Sequence, residues 1–155
     1  MSFAITEYAE DDYDEVWALH LRTISENYGF VKNVSFHTDF QNIHNIYASF
    51  LVLKEDDKLA GMVALKKLSN TEGEIKRLQV NPAFQGKGYG KALMKAITEK
   101  AKALGFNKLY LDVSAPQQTA RDLYLACGFK IIKTEKCIYG PDNEEFLSTF
   151  MEKTI

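Results

Sequence analysis

Hydrophobic residues recur along this chain at two spacings, which separate strands from helices. Alternation of apolar and polar residues over positions 3–8 predicts a strand. The next apolar residues follow the 3.6-residue period of an α-helix, and Asp11 stands where a capping side chain would begin that helix. The apolar stripe of this helix comprises Tyr13, Val16, Trp17, Leu21, Ile24 and Tyr28.

A second helix and a hairpin are predicted next. Ser35 can cap a helix whose apolar positions again follow the helical period. Two apolar runs, at residues 50–54 and 58–68, then flank a short charged turn, which is typical of a β-hairpin. The stripe of the second helix comprises Phe36, Phe40, Ile43 and Tyr47.

The strand predicted at residues 74–80 carries an irregularity. Ile75 differs in parity from Leu78 and Val80, so strict alternation cannot place all three side chains on one face. A β-bulge near Arg77 would restore the alternation, and bulges bend a strand and end its pairing with a neighbour.

Helices and strands alternate through the second half of the chain. Residues 87–104 predict a helix that Gly105 ends, and Pro116 opens another that Gly128 ends. The buried stripes are predicted to comprise Ala92, Leu93, Ala96, Ile97, Ala101 and Leu104 in the first helix and Ala120, Leu123, Tyr124 and Cys127 in the second. Strands are predicted at residues 108–113, 129–136 and 145–153. The resulting order, β-α-α-β-β-β-α-β-α-β-β, is that of a mixed α/β protein.

Length and composition predict a single domain over residues 1–155. The chain has 155 residues, of which 46% are hydrophobic and 12% aromatic, enough for a packed core. Its net charge of −2 disfavours nucleic acid as a partner, because binding to a phosphate backbone needs a concentrated positive surface. Without a secretory leader or a membrane-length apolar run, we expect a cytoplasmic protein with no membrane partner. The oligomeric state stays open, with a homodimer as the commonest arrangement.

The cysteines and histidines do not predict a metal site. Neither Cys127 nor Cys137 belongs to a C-x-x-C pair or has metal-ligand spacing to a histidine. Cys127 lies on the apolar stripe of a predicted helix, which favours a buried, inert thiol over a nucleophile. We therefore expect no metal and no disulfide framework.

Three alternating glycines connect the bulged strand to the helix that follows it. Gly86, Gly88 and Gly90 allow positive φ angles and close approach of a ligand, and the helix presents unpaired N–H groups to an anion. A P-loop is disfavoured, because the residue after Lys91 is an alanine and no hydroxyl is available for magnesium. A dinucleotide loop needs G-x-G-x-x-G and this one is G-x-G-x-G, although Asp112 stands near the place of a ribose-binding acid.

A third interpretation fits the spacing of the glycines. Gln85 to Gly90 match the pattern Gln/Arg-x-x-Gly-x-Gly/Ala, and here the chain resembles the GNAT superfamily of acyl-CoA-dependent N-acyltransferases. The strand before the loop resembles the family's fourth strand and residues 120–129 resemble its last helix and strand, so the resemblance covers roughly residues 50–135. It implies a GNAT-like fold with a central, twisted, mostly antiparallel sheet of about seven strands and about four helices, splayed between the fourth and fifth strands. It also implies acetyl transfer from acetyl-CoA to a primary amine by direct attack in a ternary complex.

The same resemblance gives roles to the strand and the loop. The main-chain N–H of Leu78 would stabilise the oxyanion, and the main chain of Gln79 and Val80 would run beside the pantetheine arm. Main-chain N–H groups of the loop would hold the pyrophosphate, and Lys87, Lys91 and Lys95 could add positive charge around it. Gln117 stands where many members place an asparagine that contacts pantetheine. The loop residues are Gln85, Gly86, Lys87, Gly88, Tyr89, Gly90 and Lys91.

Two side chains are candidate catalysts by this resemblance. Tyr124 stands where many members carry a tyrosine that protonates the departing CoA thiolate, although its helical stripe also fits a core aromatic. Glu74 is our candidate general base, because an amine with a pKa of about 10.4 is almost fully protonated at neutral pH. The alternative for Glu74 is a surface ion pair with Lys76 or Arg77, and Asp112 is a second, lower-ranked candidate base.

The sequence does not identify the amine acceptor. Its pocket is expected between the first two helices and the loop that joins the last two strands. Two other functions stay open: a non-catalytic acyl-CoA-binding domain, and a nicotinamide-dependent oxidoreductase, which the short chain after Asp112 disfavours. Residues that mark the expected acceptor region are Tyr28, Phe30, Phe36, Phe40, Tyr47 and residues 139–141.

Overall fold

The computed structural model describes residues 2–27, 38–114, 118–139 and 143–155. Within these residues, seven strands form one open sheet in the order β1-β2-β3-β4-β5-β7-β6. All neighbouring strands are antiparallel except β4 and β5, which are parallel. The strands are β1 (Phe3–Glu7), β2 (Ser49–Glu55), β3 (Lys58–Lys67), β4 (Glu72–Val80), β5 (Lys108–Ser114), β6 (Lys130–Tyr139) and β7 (Glu144–Thr154).

Four α-helices in the described residues cover the sheet from both faces. The two long core clusters lie on opposite faces: one contains the buried side chains of α3 and α4, and the other those of α1 and α2. The predicted mixed α/β class and the order of the elements are confirmed. None of the described helices is both long and apolar enough to span a membrane. The helices are α1 (Tyr13–Asn27), α2 (Ile43–Ile46), α3 (Tyr89–Ala103) and α4 (Gln118–Ala126).

The start and the buried stripe of α1 differ from the prediction. The Asp12 carboxylate, and not Asp11, accepts a hydrogen bond from the Ala9 N–H at 3.0 Å, within a 3₁₀ turn that precedes the helix. Leu21, predicted to be buried, is 39% exposed, whereas His20 is fully buried. The stripe passes through a histidine, which a count of apolar residues does not register.

The second helix is much shorter than predicted. A 3₁₀ turn at Thr38–Gln41 is followed by the single helical turn of α2, and Asn42, with φ −150° and ψ 45°, separates the two. Phe40 and Ile43 are nevertheless buried as their spacing predicted. Ser35 and Phe36 lie outside the described residues.

Strand β4 carries the predicted bulge. The β3 partners of Lys76 and Gln79 are separated by one residue. Lys76 and Gln79 themselves are separated by two residues on β4, Arg77 and Leu78. Arg77 has a φ of 57°, in the left-handed region that non-glycine residues rarely adopt. Leu78 therefore packs against the same core cluster as Ile75, as the change of parity required.

Helix α3 is shorter at both ends than predicted, and its last apolar residue is not buried. Leu104 is 49% exposed, whereas Phe106, two residues later, is 5% exposed. Gly105, at φ 87°, ends the helix as predicted and turns the chain so that the Phe106 N–H donates to the Ala101 carbonyl at 3.0 Å. The turn thus places Phe106 in the core in the position expected for Leu104.

Candidate active site

A gap opens between β4 and β5 where the splay was predicted. The two strands pair over only three positions, the last being Glu74 opposite Tyr110. Beyond this point β4 continues to Val80 and β5 to Ser114 without pairing with each other. Leu78 has no register partner among the described residues of either neighbouring strand. Main-chain groups along the end of β4 therefore border the gap.

The glycine loop between β4 and α3 is exposed at residues 85–88. Gly86 and Gly88 have φ angles of 82° and 80°, so both use the left-handed region that glycine adopts without strain. A methyl group at either position would have no neighbouring heavy atom within 4 Å. A ligand can therefore approach the backbone here more closely than it could approach a residue with a side chain.

The first turn of α3, which follows this loop, has main-chain N–H groups without an intrahelical partner. Gly88 is the N-cap and offers no capping side chain, and the first helical hydrogen bond runs from the Ala92 N–H to the Gly88 carbonyl at 3.0 Å. In the described part of the chain, no acceptor is found for the N–H groups of Tyr89, Gly90 and Lys91. Together with the positive end of the helix dipole, these donors favour binding of an anion such as a pyrophosphate.

A buried carboxylate that the sequence analysis missed holds the glycine loop to the β2–β3 hairpin. Glu55, whose side chain is 8% exposed, accepts hydrogen bonds from Lys87 Nζ at 2.8 Å and from the Tyr89 hydroxyl. The hydrogen bond from Lys87, followed by that from Tyr89, lowers the pKa of Glu55, and the bond to Glu55 raises the pKa of Tyr89 to about 12. Lys87 was expected to add positive charge for a ligand, but its charge is paired with Glu55. No local sequence pattern predicts this contact, because Lys87 and Tyr89 lie 32 and 34 residues after Glu55.

A groove runs along α3 from the glycine loop. Its volume is about 520 Å³, and Lys91 and Lys95 line it beside Cys127 and Lys153. Lys153 Nζ donates a hydrogen bond to the Cys127 carbonyl at 2.7 Å. Cys127 is only partly buried, whereas a buried thiol was predicted, and this burial raises the pKa of the thiol more than the two nearby lysines lower it. The groove thus combines positive charge with an apolar floor next to the loop.

Tyr124 lies on α4 and is 7% exposed. Its ring packs against Phe129 in an edge-on arrangement, with the ring centroids 6.3 Å apart. A methyl group added at Gly90 would lie 3.1 Å from the Leu123 side chain and 3.8 Å from the Val80 side chain. The start of α3, α4 and the end of β4 therefore meet at one place, with Tyr124 beside it.

Glu74 lies at the last paired position before the gap and is partly buried. Within the described ranges it forms no ion pair with Lys76 or Arg77, which was the alternative to a catalytic role. Asp112, the second candidate base, is exposed and accepts a hydrogen bond from the Ser148 hydroxyl at 3.1 Å. Glu74 is therefore the carboxylate at the branch point between the strands.

The expected acceptor region is only partly described. Phe40 and Tyr47 are 2% and 7% exposed and belong to the core cluster under α1. Phe40 also borders an open cavity of about 500 Å³, which Tyr47 does not line. His20, which the sequence analysis did not select, stacks on Phe40 with ring centroids 4.3 Å apart, and its Nδ1 lies 3.2 Å from Nε2 of Gln79. Gln117, Tyr28, Phe30, Phe36 and the side chains of residues 139–141 lie outside the described residues.

Comparison with known proteins identifies the family. The sequence model of the Acetyltransferase (GNAT) family matches residues 5–129. The chain belongs to this family. The predicted family and an acetyltransferase activity are thereby confirmed, and the nicotinamide-dependent alternative is not supported. No group of three or more histidine, cysteine or acidic side chains suited to a metal occurs among the described residues.

Curated relatives of this GNAT protein have different acceptors in their names. The chain is 32% identical over 120 residues to an IAA acetyltransferase of Azospirillum brasilense, covering 76% of this chain and 74% of the relative. It is 33% identical over 99 residues to a [ribosomal protein bS18]-alanine N-acetyltransferase of Haemophilus ducreyi, covering 63% and 68%. Similar proteins thus differ in what they are named for acetylating.

Solved structures of GNAT proteins share the fold over almost the whole chain. An acetyltransferase of Streptococcus agalactiae superposes with a TM-score of 0.83 at 21% identity, covering 99% of this chain and 98% of the other. The yncA protein of Salmonella typhimurium, solved with its cofactor acetyl-CoA, gives a TM-score of 0.79 at 16% identity, covering 99% and 94%. The predicted GNAT-like fold is confirmed.

Proposed function

We propose that this protein transfers an acetyl group from acetyl-CoA to a primary amine by direct attack within a ternary complex. The observation that carries the proposal is the coincidence of two features at one end of β4. The strand separates from β5 after Glu74, and the glycine loop with its open main chain follows directly. A phosphate cradle beside a gap between strands suits a ligand that has a diphosphate and a long, thin arm ending in a thioester.

The residues present fit acetyl-CoA. The N–H groups at the start of α3 would hold the pyrophosphate, because no acceptor is found for them among the described residues. The main chain of Gln79 and Val80, together with the Gln117 side chain, would bind the pantetheine arm along β4. Lys91 and Lys95 in the adjacent groove would pair with phosphate groups at the nucleotide end. Gln85 would support the loop, since its side-chain Nε2 donates to the Val80 carbonyl at 3.3 Å.

Three groups of the chain would carry the chemistry on the acetyl thioester that acetyl-CoA supplies. The N–H of Leu78, at the bulge, would stabilise the negative charge that builds up on the carbonyl oxygen as the amine nitrogen attacks. Glu74 would accept the proton that the amine nitrogen loses, directly or through a water molecule. Tyr124 would give its proton to the sulfur when the carbon–sulfur bond breaks. The products are an N-acetyl amine and free CoA.

The proposal identifies the acceptor only by its chemical class, a primary amine. The relatives include a protein named for acetylating a ribosomal-protein alanine, a residue whose amine is primary at a protein N-terminus. Such an acceptor is compatible with a gap that opens at the surface of the sheet. A non-catalytic acyl-CoA-binding domain is the alternative that one observation favours, because Tyr124 is packed in the core and has a structural role there.

Ligand-induced stabilisation of matched glycine variants tests this proposal. Acetyl-CoA at about 100 times its dissociation constant should raise the melting temperature of the wild type by roughly 5 to 10 °C, and NAD should not. Gly88→Ala and Gly105→Ala both place a methyl group at positive φ in open space, so each should lose about 1 kcal/mol of stability from strain. Gly88→Ala alone should also lose most of the shift with acetyl-CoA.

Three results would decide against the proposal. The first is a wild type that acetyl-CoA does not stabilise, and the second is a larger shift with NAD. The third is an equal acetyl-CoA shift in both glycine variants, because it would mean that the loop does not hold the ligand. Binding without acetylation of any amine would support the non-catalytic alternative.

A further inference from the structure

Arg77, at the bulge in β4, forms an ion pair with Asp39 of the 3₁₀ turn at Thr38–Gln41. Arg77 Nε and Nη2 donate to the two carboxylate oxygens of Asp39 at 3.0 and 2.9 Å, which is a bidentate arrangement. The side chains of both residues are mostly buried, with exposures of 16% and 13%. The Arg77 guanidinium also lies over the Phe40 ring, 5.2 Å from its centroid. Bidentate pairs of this kind restrict geometry more than a single hydrogen bond does.

Asp39 is itself held in place. The Tyr47 hydroxyl donates to Asp39 Oδ2 at 2.5 Å, and Asp39 and Phe40 belong to one 3₁₀ turn. Burial alone would raise the pKa of Asp39, but its hydrogen bonds and attraction to Arg77 outweigh that effect and lower it. Asp39 is therefore charged, and hydrogen bonds from two residues, Arg77 and Tyr47, hold its carboxylate in place.

The anchored residue is the one with the strained backbone. Arg77 has a φ of 57°, and it directly precedes Leu78, the proposed oxyanion donor. A non-glycine residue stays in this region only when its surroundings hold it there. Because the orientation of the Leu78 N–H depends on the peptide that joins it to Arg77, the side chain of Arg77 and the direction of that N–H are coupled.

We propose that Asp39, acting through Arg77, is a positioning residue that holds the β4 bulge so that the Leu78 N–H points into the gap. The proposal rests on the proposed function, in which this N–H stabilises the oxyanion. It assigns a part in catalysis to the 3₁₀ turn, whose Asp39 lies 38 residues before Arg77 in the sequence. Neither side chain touches the reacting atoms in this proposal.

The substitution Asp39→Asn, which keeps the size of the side chain, tests this role. It should lower kcat about 10-fold while the KM for acetyl-CoA changes by less than about twofold, since a misdirected donor loses part of the 10² to 10³ that a whole oxyanion donor supplies. Amide hydrogen exchange of residues 76–80 should become faster. Arg77→Lys keeps the charge but not the bidentate geometry, so its kcat should lie between those of wild type and Asp39→Asn.

A matched control separates this effect from a general loss of stability. Asp12 is also a buried carboxylate, with 7% side-chain exposure, and it pairs with Lys54 Nζ at 2.6 Å away from the gap. Asp12→Asn should leave kcat and the exchange of residues 76–80 unchanged. If Asp39→Asn does not fold, Arg77→Lys is compared with Asp12→Asn in the same two measurements.

The outcomes distinguish this inference from the proposed function. A wild type that acetylates amines, with equal kcat in Asp39→Asn and Asp12→Asn, overturns the inference alone. A rise in the KM for acetyl-CoA with unchanged kcat overturns it as well. If the wild type acetylates no amine, the proposed function fails, and the exchange rates then show whether the ion pair holds the bulge.

Discussion

Tyr124 combines a packing role and a proposed chemical role in one side chain. Its ring contacts Phe129 within the core under α3 and α4, and this contact does not need the hydroxyl group. Proton transfer to the CoA sulfur, in contrast, needs only the hydroxyl. Substitution by phenylalanine therefore separates the two roles.

The change Tyr124→Phe should lower kcat about 10²-fold with little change in the KM for acetyl-CoA, because a general acid contributes at least this much in the transition state. Steady-state kinetics with thiol detection would measure it. Tyr8→Phe is the control, since Tyr8 is 5% exposed and belongs to the other core cluster. Equal kcat in wild type and Tyr124→Phe would leave the tyrosine with its packing role alone.

Glu74 can be tested against a carboxylate of the same strand. Glu74→Gln should lower kcat about 10²-fold near neutral pH, where the amine must lose a proton, and the loss should shrink as the pH approaches the pKa of the amine. Glu72→Gln is the control, because Glu72 lies two residues earlier and accepts a hydrogen bond from the Tyr110 hydroxyl at 2.9 Å. A pH–rate profile of both variants would measure the difference. Identical profiles for the two would remove Glu74 from the mechanism.

Among the helices and strands, the features that depend on residues close in sequence were predicted correctly. The order of helices and strands follows from periodicity, and the bulge near Arg77 follows from a change of parity on β4. Gly105 and Gly128 end their helices with φ angles of 87° and 93°, as their positions indicated. Each of these features is fixed by the few residues around it.

What the sequence did not predict depends on contacts between distant elements. Glu55 reaches the glycine loop from the end of β2, and Asp39 reaches β4 from a 3₁₀ turn, and neither residue belongs to a motif. The second helix was predicted too long because Phe40 and Ile43 keep the helical spacing, although Asn42 breaks the helix between them. At Phe40 and Ile43 the spacing predicted burial correctly but predicted the backbone between them incorrectly.

The link between the 3₁₀ turn and β4 should make stability depend on pH. The pKa of Asp39 is lowered in the folded protein, so its ionised form adds stability above the unfolded pKa of about 4, and this stability is lost as the pH falls through the folded value. Asp39→Asn should therefore cost about 2 kcal/mol at neutral pH, a typical value for hydrogen bonds to a charged group, and progressively less below about pH 4.

Urea unfolding of wild type and Asp39→Asn between pH 3 and pH 7 would measure this dependence. Asp112→Asn serves as the control, because Asp112 is exposed and bonds only to Ser148 among the described residues. A difference between wild type and Asp39→Asn that stays constant over the whole pH range would contradict the assignment of the effect to the ionised carboxylate.

At the scale of the whole molecule, the sheet separates two environments that meet at one gap. The glycine loop, α3 and α4 form the side that would hold acetyl-CoA, and the core cluster under α1 and α2 lies on the opposite face. Strands β4 and β5 part between these layers after Glu74, so a thioester bound on one side can be reached through the gap. Among the described strands, β4 and β5 are the one parallel pair, and they pair over only three positions.

The central claim is that this gap is a place of acetyl transfer to an amine. Its most direct test is to incubate the wild type with acetyl-CoA and a panel of primary amines, including peptides with free N-termini, and to detect products by mass spectrometry. We expect at least one amine to gain one acetyl group, with an equal amount of CoA thiol released and with both signals lost in Gly88→Ala but not in Gly105→Ala. Release of thiol without any N-acetyl product, or tight binding of acetyl-CoA with neither signal, would contradict the claim.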